Sequence, residues 1–206
     1  MQLTVEQTLS WLEKTNAKIQ ANKEYLTSLD QAIGDGDHGI NMARGFQEVM
    51  KKVEAASYES VSDVLKDVAM TLMSKVGGAS GPLYGTAFLK MSMAVKGTDP
   101  VDNPTFTKGV EEALNGILMR GKAEEGNKTM IDVWAPVLRF FQESETVDPS
   151  ALEEIAKTSM EATKDKKAIK GRAAYLGDRS IGHLDPGSVS SFYLFQSLSE
   201  TLKEVE

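Results

Sequence analysis

Three aspartates fall within eight residues of one another at a glycine-rich segment of this chain. Asp30 precedes the segment G-D-G-D-H-G, and Asp35 and Asp37 lie inside it. Carboxylates this close repel one another by several kcal/mol per pair where the effective dielectric is low. A hard divalent cation removes that repulsion, and oxygen ligands select Mg²⁺, Mn²⁺ or Ca²⁺ over zinc. The three aspartates are therefore predicted to ligate such an ion, with its open positions left to phosphate oxygens.

Other interpretations of this segment are less consistent with the sequence. A dinucleotide-binding G-x-G-x-x-G turn requires a preceding strand, and none is predicted here. A calcium-binding EF-hand loop requires glycine where Ile40 stands and a bidentate glutamate where Phe46 stands. The remaining alternative is that Asp35 and Asp37 are ordinary turn residues and helix caps.

Two further glycine-rich loops could bind anions. Residues 77–82 read G-G-A-S-G-P, and a longer stretch covers 171–188. Glycines allow backbone N–H groups to converge on an anion, and each loop leads into a helix whose N-terminus favours phosphate. Neither loop has the G-K-[ST] ending of a Walker A motif. The simpler alternative for Gly77 and Gly78 is an ordinary helix C-cap.

The third loop follows the one basic cluster of an acidic chain. Its members are Lys164, Lys166, Lys167, Lys170 and Arg172. We expect this segment to form a lid whose Arg172 closes over a polyphosphate, although a solvated basic face would have the same composition. Arg179 and the helix start at Asp185, Pro186 and Gly187 are further candidates for nucleotide contact.

Both histidines and one methionine lie in or beside these loops. His38 and His183 are predicted to donate hydrogen bonds to phosphate rather than to carry a phosphoryl group, since no partner carboxylate is identifiable. Met130 is placed to pack on an adenine ring, and core filling is the alternative.

The rest of the chain predicts one helix after another. Apolar residues recur at helical spacing, and Thr4 with Gln7 forms a capping box. The predicted helices cover approximately residues 4–22, 23–33, 41–56, 64–76, 82–96, 104–121, 129–142, 148–164 and 185–202. No strand, repeat or domain boundary is evident, so the fold is predicted to be all-α, with residues 1–206 forming a single domain.

Composition excludes several classes of protein. The net charge of −7 argues against a non-specific nucleic-acid binder, and the chain contains no cysteine for disulfides or thiolate chemistry. No apolar run approaches the ~20 residues of a membrane span, and the N-terminus has no secretory signal pattern. The expected location is the cytoplasm.

The three loop motifs together resemble one known family. The segments G-D-G-D-H-G-x-N, G-G-A-S-G-P-L-Y-G-T and G-R-A-A-Y-L-G-D-R-S-I-G-H-L-D-P-G-S are similar to those of the nucleotide-binding L subunits of bacterial dihydroxyacetone kinases. The resemblance runs from Asp30 to the last helix. It implies eight antiparallel helices in a closed barrel with a nucleotide at one end. Ala174 stands where some relatives have serine.

The resemblance also implies roles for individual residues. Asp30, Asp35 and Asp37 would hold two Mg²⁺ ions that bridge the phosphates, and together with Arg172 they would form the catalytic set. Gly121 would flank the adenine. The implied nucleotide contacts are His38, Gly39, Ile40, Asn41, Ala79, Ser80, Gly121, Met130, Arg172, Asp185, Pro186 and Gly187.

The function implied by the resemblance needs partners. A chain of this length has no room for a substrate-binding K domain, which points to the phosphoenolpyruvate-dependent system. There, ADP stays bound and is rephosphorylated by a phospho-histidine on the phosphotransferase-system M subunit. The γ-phosphoryl of the resulting ATP then passes to dihydroxyacetone on the K subunit.

Three alternatives remain open. The chain could be the ATP-binding part of a fatty-acid kinase, a non-catalytic nucleotide sensor, or a metal-dependent phosphohydrolase. The first would act only with an acyl-carrying partner, the second would transfer nothing, and the third would release phosphate with no partner at all.

Overall fold

The computed structural model describes residues 1–204, and nine α-helices account for most of them. The helices are α1 Val5–Ala21, α2 Lys23–Ile33, α3 His38–Glu54, α4 Val61–Lys75, α5 Ser80–Ala94, α6 Asn103–Gly121, α7 Ile131–Glu143, α8 Pro149–Glu161 and α9 Pro186–Lys203. Two 3₁₀ segments, Ala162–Asp165 and Arg172–Ser180, lie between α8 and α9. The all-α prediction is confirmed.

Local signals explain where several of these helices begin. Thr4 and Gln7 form the predicted capping box at α1, with the Thr4 N–H donating to Gln7 Oε1 over 2.8 Å. Asp148 and Asp185 cap α8 and α9, each followed by a proline in the first turn. The predicted start of α3 was late by three residues, since the helix begins at His38.

A small β-ladder was not predicted. Two antiparallel strands, β1 Gln2–Leu3 and β2 Val101–Asp102, pair Gln2 with Asp102 and Leu3 with Val101. Two residues are too few to show the alternation by which a strand is recognised in sequence. The ladder ties the N-terminus to the start of α6.

One continuous apolar cluster runs from Leu3 to Leu202 and includes buried residues of every α-helix. Helix contacts follow chain order from α3 to α9 and then return, because α9 packs on α1 and α1 packs on α3. The Trp11 indole N–H donates to the Leu194 carbonyl over 2.8 Å and so joins α1 to α9. This cycle of contacts is compatible with the predicted closed barrel, with nine helices in the described residues instead of eight.

None of the helices in the described part of the chain combines the length and the apolar character that crossing a bilayer requires.

The packing of the helices brings four helix N-termini together, those of α3, α5, α7 and α9.

Candidate functional site

A cavity of about 180 Å³ lies where these four N-termini meet. The first residues of α3 and α5 line it, as do the residues just before α7 and at the start of α9. The first N–H groups of a helix have no acceptor within the helix, and its N-terminus carries a partial positive charge, which favours an anion. Four such ends around one cavity make it a strong candidate for a polyphosphate site.

The three predicted metal ligands meet at the edge of this cavity. One oxygen from each carboxylate of Asp30, Asp35 and Asp37 lies within 4.8 Å of the others. Asp30 is buried, and its Oδ2 accepts the N–H groups of Asp37 and His38 over 2.9 and 3.0 Å. These two bonds satisfy first-turn donors of α3, which is why the helix starts earlier than its apolar pattern indicated.

The loop between α2 and α3 needs its glycines. A Cβ on Gly34 would lie 2.0 Å from Asp30 Oδ1, a distance that no real side chain tolerates. Gly36 has φ +76°, a left-handed conformation that costs other residues free energy. Asp30 Oδ1 therefore keeps its position only because residue 34 has no side chain.

Arg172 reaches the acidic cluster. Its Nε lies 2.9 Å from Asp35 Oδ2; the Arg172 side chain is largely exposed and that of Asp35 about one third exposed. Other members of the predicted basic cluster have separate partners: Lys166 pairs with Asp132, and Lys167 with Asp178. Arg172, which is predicted to close over a polyphosphate, therefore already contacts Asp35, one of the predicted metal ligands.

A second, more apolar cavity of about 320 Å³ adjoins the first. The two share Ala79, Leu83 and Met130 among other lining residues, and Gly121 lines only the second. Its remaining wall includes Pro82, Ile117 and Ile131. A charged cavity that continues into an apolar one fits a nucleotide, with phosphates in the first and the base in the second.

The predicted nucleotide contacts are brought together in part. The first cavity is lined by His38, Ala79, Ser80, Met130, Arg172 and the residues from Asp185 to Gly187. The three residues that follow His38 in α3, Gly39, Ile40 and Asn41, line neither cavity. Gly39 touches α2, where a Cβ would lie 2.1 Å from the Lys23 carbonyl, and Ile40 is 48% exposed. Asn41 Oδ1 accepts a bond from Arg44 over 2.9 Å. Contact of Gly39, Ile40 and Asn41 with a nucleotide remains a prediction.

His38 is buried between two hydroxyls. Its Nε2 lies 2.9 Å from Ser190 Oγ and its Nδ1 3.0 Å from Ser80 Oγ. Burial lowers the pKa of the imidazole to about 4, against a smaller opposing influence of Asp37. A neutral ring with both nitrogens engaged links α3, α5 and α9, which makes it poorly placed to accept a phosphoryl group.

The same hydrogen-bond network continues into the core. The Tyr84 hydroxyl lies 2.7 Å from Ser190 Oγ and 2.8 Å from Ser191 Oγ, and the Trp134 indole donates to Ser191 over 3.1 Å. Burial raises the pKa of Tyr84 far above its usual range, so the phenol stays neutral. These side chains hold α5, α7 and α9 in fixed positions around the cavity.

Asp185 is an acidic residue that lines the same cavity but lies far from the three clustered aspartates in sequence. Its Oδ2 accepts the Ser188 N–H over 2.6 Å at the start of α9. Burial raises the pKa of this carboxyl to about 7, although its hydrogen bonds with Ser188 act in the opposite direction. A carboxyl that is partly protonated near neutral pH adds less negative charge to an anion site.

Lys128 is a cavity residue that the sequence analysis missed. It is 1% exposed, and it lines the first cavity. Burial lowers the pKa of its ammonium, while Asp185, Asp165 and Asp132 raise it. A lone lysine before a predicted helix looks like any solvated lysine, so no local signal could have identified it. His183 and Arg179, which the sequence suggested, line neither cavity.

The fold is all-helical, and the lining of its composite cavity has the chemistry that would suit an anion, a hard metal ion and an apolar ring. Residues 32–200 match the model of the DAK2 domain. The chain belongs to the DAK2 domain family.

Relatives within this family align along nearly the whole chain. It is 51% identical to the protein named PEP-dependent dihydroxyacetone kinase 1, ADP-binding subunit DhaL, of Listeria innocua, over 94% of each chain. It is 50% identical to the PTS-dependent dihydroxyacetone kinase ADP-binding subunit DhaL of Lactococcus lactis, covering 97% of this chain and 99% of that one. The PEP-dependent counterpart of Escherichia coli is 41% identical, with 99% and 100% covered.

Solved structures support the fold. The crystal structure of the dihydroxyacetone kinase of C. freundii in its native form matches with a TM-score of 0.76 at 21% identity, over 94% of this chain. The structure of that kinase with AMP-PNP and Mg²⁺ matches with a TM-score of 0.74 over 97% of this chain. This chain spans about a third of those chains, 34% in each case.

Proposed function

We propose that this chain is the ADP-binding subunit of a phosphoenolpyruvate- and phosphotransferase-system-dependent dihydroxyacetone kinase. The observation that carries the proposal is the composite cavity, in which a cluster of carboxylates and four helix N-termini lead into an apolar recess. The near full-length relatives named as such subunits support it.

The acidic cluster is the proposed magnesium site. Asp30, Asp35 and Asp37 offer only oxygen ligands, which suits Mg²⁺. We propose two ions, the number that the resemblance to the nucleotide-binding L subunits implies, and the clustered carboxylate oxygens of the three aspartates would ligate them. Bound there, magnesium would neutralise polyphosphate charge, the main requirement of phosphoryl transfer.

The helix N-termini and Arg172 are proposed to hold the phosphates. Arg172 is long and exposed, and it now pairs with Asp35. A guanidinium can exchange that carboxylate for a phosphate oxygen of similar geometry. Ser80 and the residues from Asp185 to Gly187 would complete the anion site, and Gly121 and Met130 would flank the base.

The residues of this chain are proposed to bind and orient, and not to form a covalent intermediate. Among the described residues, His38 is the one histidine that lines the cavity, and both of its ring nitrogens are bonded to serines. The bound nucleotide would supply the phosphoryl carrier between a phospho-histidine on the M subunit and dihydroxyacetone on the K subunit. Both partners belong to the proposal, as does a cytoplasmic location.

Denaturing the purified protein and identifying what it releases tests the cofactor. We expect stoichiometric ADP together with magnesium. Protein that carries no nucleotide and also fails to bind added ADP with Mg²⁺ would contradict the proposal.

The variant Asp35→Asn tests the metal site within the same system. Replacing this carboxylate should reduce phosphotransfer from phosphoenolpyruvate to dihydroxyacetone at least about 100-fold, because magnesium loses a charged ligand. The helical circular dichroism spectrum should not change. Asp67→Asn is the matched control, since Asp67 is also a partly exposed aspartate paired with a cation and lies on α4, which lines neither cavity. Equal activity of both variants would remove Asp35 from the metal site.

A further inference from the structure

The strongest unassigned feature of the molecule is the buried ammonium of Lys128. Its Nζ donates to the carbonyl of Ser180 over 2.6 Å and to that of Lys166 over 3.0 Å. No carboxylate of the described residues lies within ion-pair distance of it. Burying a charged lysine is costly unless hydrogen bonds or opposite charges compensate it, so the two carbonyls are the direct partners that stabilise this ammonium.

The two carbonyls lie at opposite ends of one segment. Residues 166–180, which we call the lid segment, contain Arg172, whose guanidinium reaches the acidic cluster. The two ends of the segment are also joined directly, since the Ala168 N–H donates to Ser180 Oγ over 2.9 Å. The single ammonium of Lys128 thus binds both ends of the lid segment.

The residue that carries this ammonium belongs to the wall of the cavity. Lys128 precedes Thr129 and Met130, which line both cavities. The Thr129 carbonyl accepts a bond from Ser188 Oγ over 2.8 Å, and its N–H donates to buried Asp132 over 2.8 Å. These bonds fix the loop before α7 to both α7 and α9. The backbone of Lys128 is therefore held in place where its side chain binds the lid segment.

Lys128 has an unusual backbone conformation for a lysine. It has φ +62°, which a non-glycine residue adopts only at a cost of free energy. This conformation accompanies a side chain directed into the protein, whereas Lys122, with φ +48°, is exposed. The left-handed backbone alone does not explain burial.

We infer that Lys128 is a positioning residue that holds the lid segment against the loop before α7 and thereby keeps Arg172 at the cavity. Other contacts assist it: the Ile169 N–H donates to the Asn127 carbonyl over 3.2 Å, and Lys166 pairs with Asp132. Lys128 differs from them because its charge-assisted bonds engage both ends of the lid segment at once. The consequence for retention of ADP rests on the proposed function.

Hydrogen exchange of the protein alone tests the seating without any nucleotide. In Lys128→Met, exchange in the lid segment should rise at least about tenfold, most clearly at the amides of Ala168 and Ile169. Amides of α4 should keep their protection. Lys122→Met is the matched control, and it should exchange like the wild type.

Chemical rescue separates the ammonium from the shape of the side chain. The chain has no cysteine, so Lys128→Cys introduces a unique thiol. Alkylation of the unfolded variant with bromoethylamine, followed by refolding, restores an ammonium, and bromopropane gives a neutral group of the same shape. We expect lid protection in the first product and its loss in the second.

Three results would overturn the inference: equal protection in both alkylated products, unprotected lid amides in the aminoethyl product, or failure of the neutral product to fold at all. The last would make Lys128 a support of the whole fold. Release of ADP from the magnesium complex should be about tenfold faster for the propyl product. If neither the wild type nor the products bind ADP, the proposed function fails while the exchange result still decides the role of Lys128.

Discussion

Individual residues in this site are held by contacts that differ in kind. Asp30 is fixed by two backbone N–H groups, Asp35 by a salt bridge with Arg172, and His38 by two serine hydroxyls. Only the first of these contacts involves groups that lie close in sequence. The site is thus assembled mainly by residues that the chain brings from distant elements.

Asp185 gives the protein a pH dependence with a definite sign. Its raised pKa means that the folded protein binds this proton more tightly than the unfolded chain does. Between about pH 4 and 7 its contribution to the free energy of unfolding therefore falls as pH rises. That contribution is fully present below pH 4 and is lost above about pH 7.

The variant Asp185→Asn isolates this contribution, because asparagine also caps helices. We expect the stability of the wild type relative to Asp185→Asn to fall by at least about 1 kcal/mol from pH 5 to pH 8. Urea unfolding at several pH values measures it. A difference that is flat or rises with pH would show that the carboxyl is not buried in the folded state.

At the scale of elements, the crossing of α2 and α3 sets the spacing of the acidic cluster. α2 carries Asp30, and α3 begins directly after Asp37. The two helices approach closely at Gly39, which faces the Lys23 carbonyl and the backbone of Thr27. Two of the three atoms nearest to an added Cβ belong to the backbone, Lys23 O at 2.1 Å and Thr27 N at 2.7 Å, so a side-chain rotation alone cannot make room.

Gly39→Ala should force these two helices apart. We expect a loss of about 1–3 kcal/mol in the free energy of unfolding, since the added methyl overpacks a rigid contact. Magnesium affinity should fall as well, because Asp30 moves relative to Asp37. Urea unfolding and calorimetric titration with Mg²⁺ measure the two effects.

Gly109→Ala is the control for this experiment. Gly109 lies inside α6, where a Cβ would lie 3.3 Å from the side-chain atom Val95 Cγ1 and 3.9 Å from two atoms of Met91, the second an ordinary van der Waals distance. It should fold and bind magnesium nearly as the wild type does. If Gly39→Ala behaved in the same way, the close crossing would not set the metal site.

At the scale of the whole molecule, one apolar cluster joins all nine helices of the described chain. Trp11 lies at the contact of α1 with α9, against Phe88 and Phe106. Trp134 lies on α7 against Phe195, next to the hydrogen-bond network of the site. The two indoles therefore report on different parts of the same core.

We propose that the chain unfolds as one domain, and the two indoles test it. Fluorescence of Trp11→Phe reports on Trp134, and fluorescence of Trp134→Phe reports on Trp11. In each variant, the urea midpoint from fluorescence should coincide with that from far-ultraviolet circular dichroism. Separate midpoints within one variant would indicate two folding units.

The sequence predicted helices well because their signals are local. Apolar spacing, the Thr4 capping box and the Asp-Pro starts of α8 and α9 each act within one or two turns. The early start of α3 escaped prediction because its stabilising acceptor is a side chain of the preceding helix. The two-residue strands escaped because each is defined only by its partner, about a hundred residues away.

For the site, the acidic cluster, the glycine-rich loops and the candidate lid arginine could all be predicted from the sequence alone. Residue type and short spacing are sufficient to indicate metal ligands and anion-binding loops. Tertiary structure alone decided that four helix N-termini share one cavity, that His38 lies between serines, and that Lys128 is buried beneath the lid segment. These features depend on contacts between residues far apart in sequence. Such contacts depend on how the whole core packs, and they cannot be recognised from the local sequence pattern around any one residue.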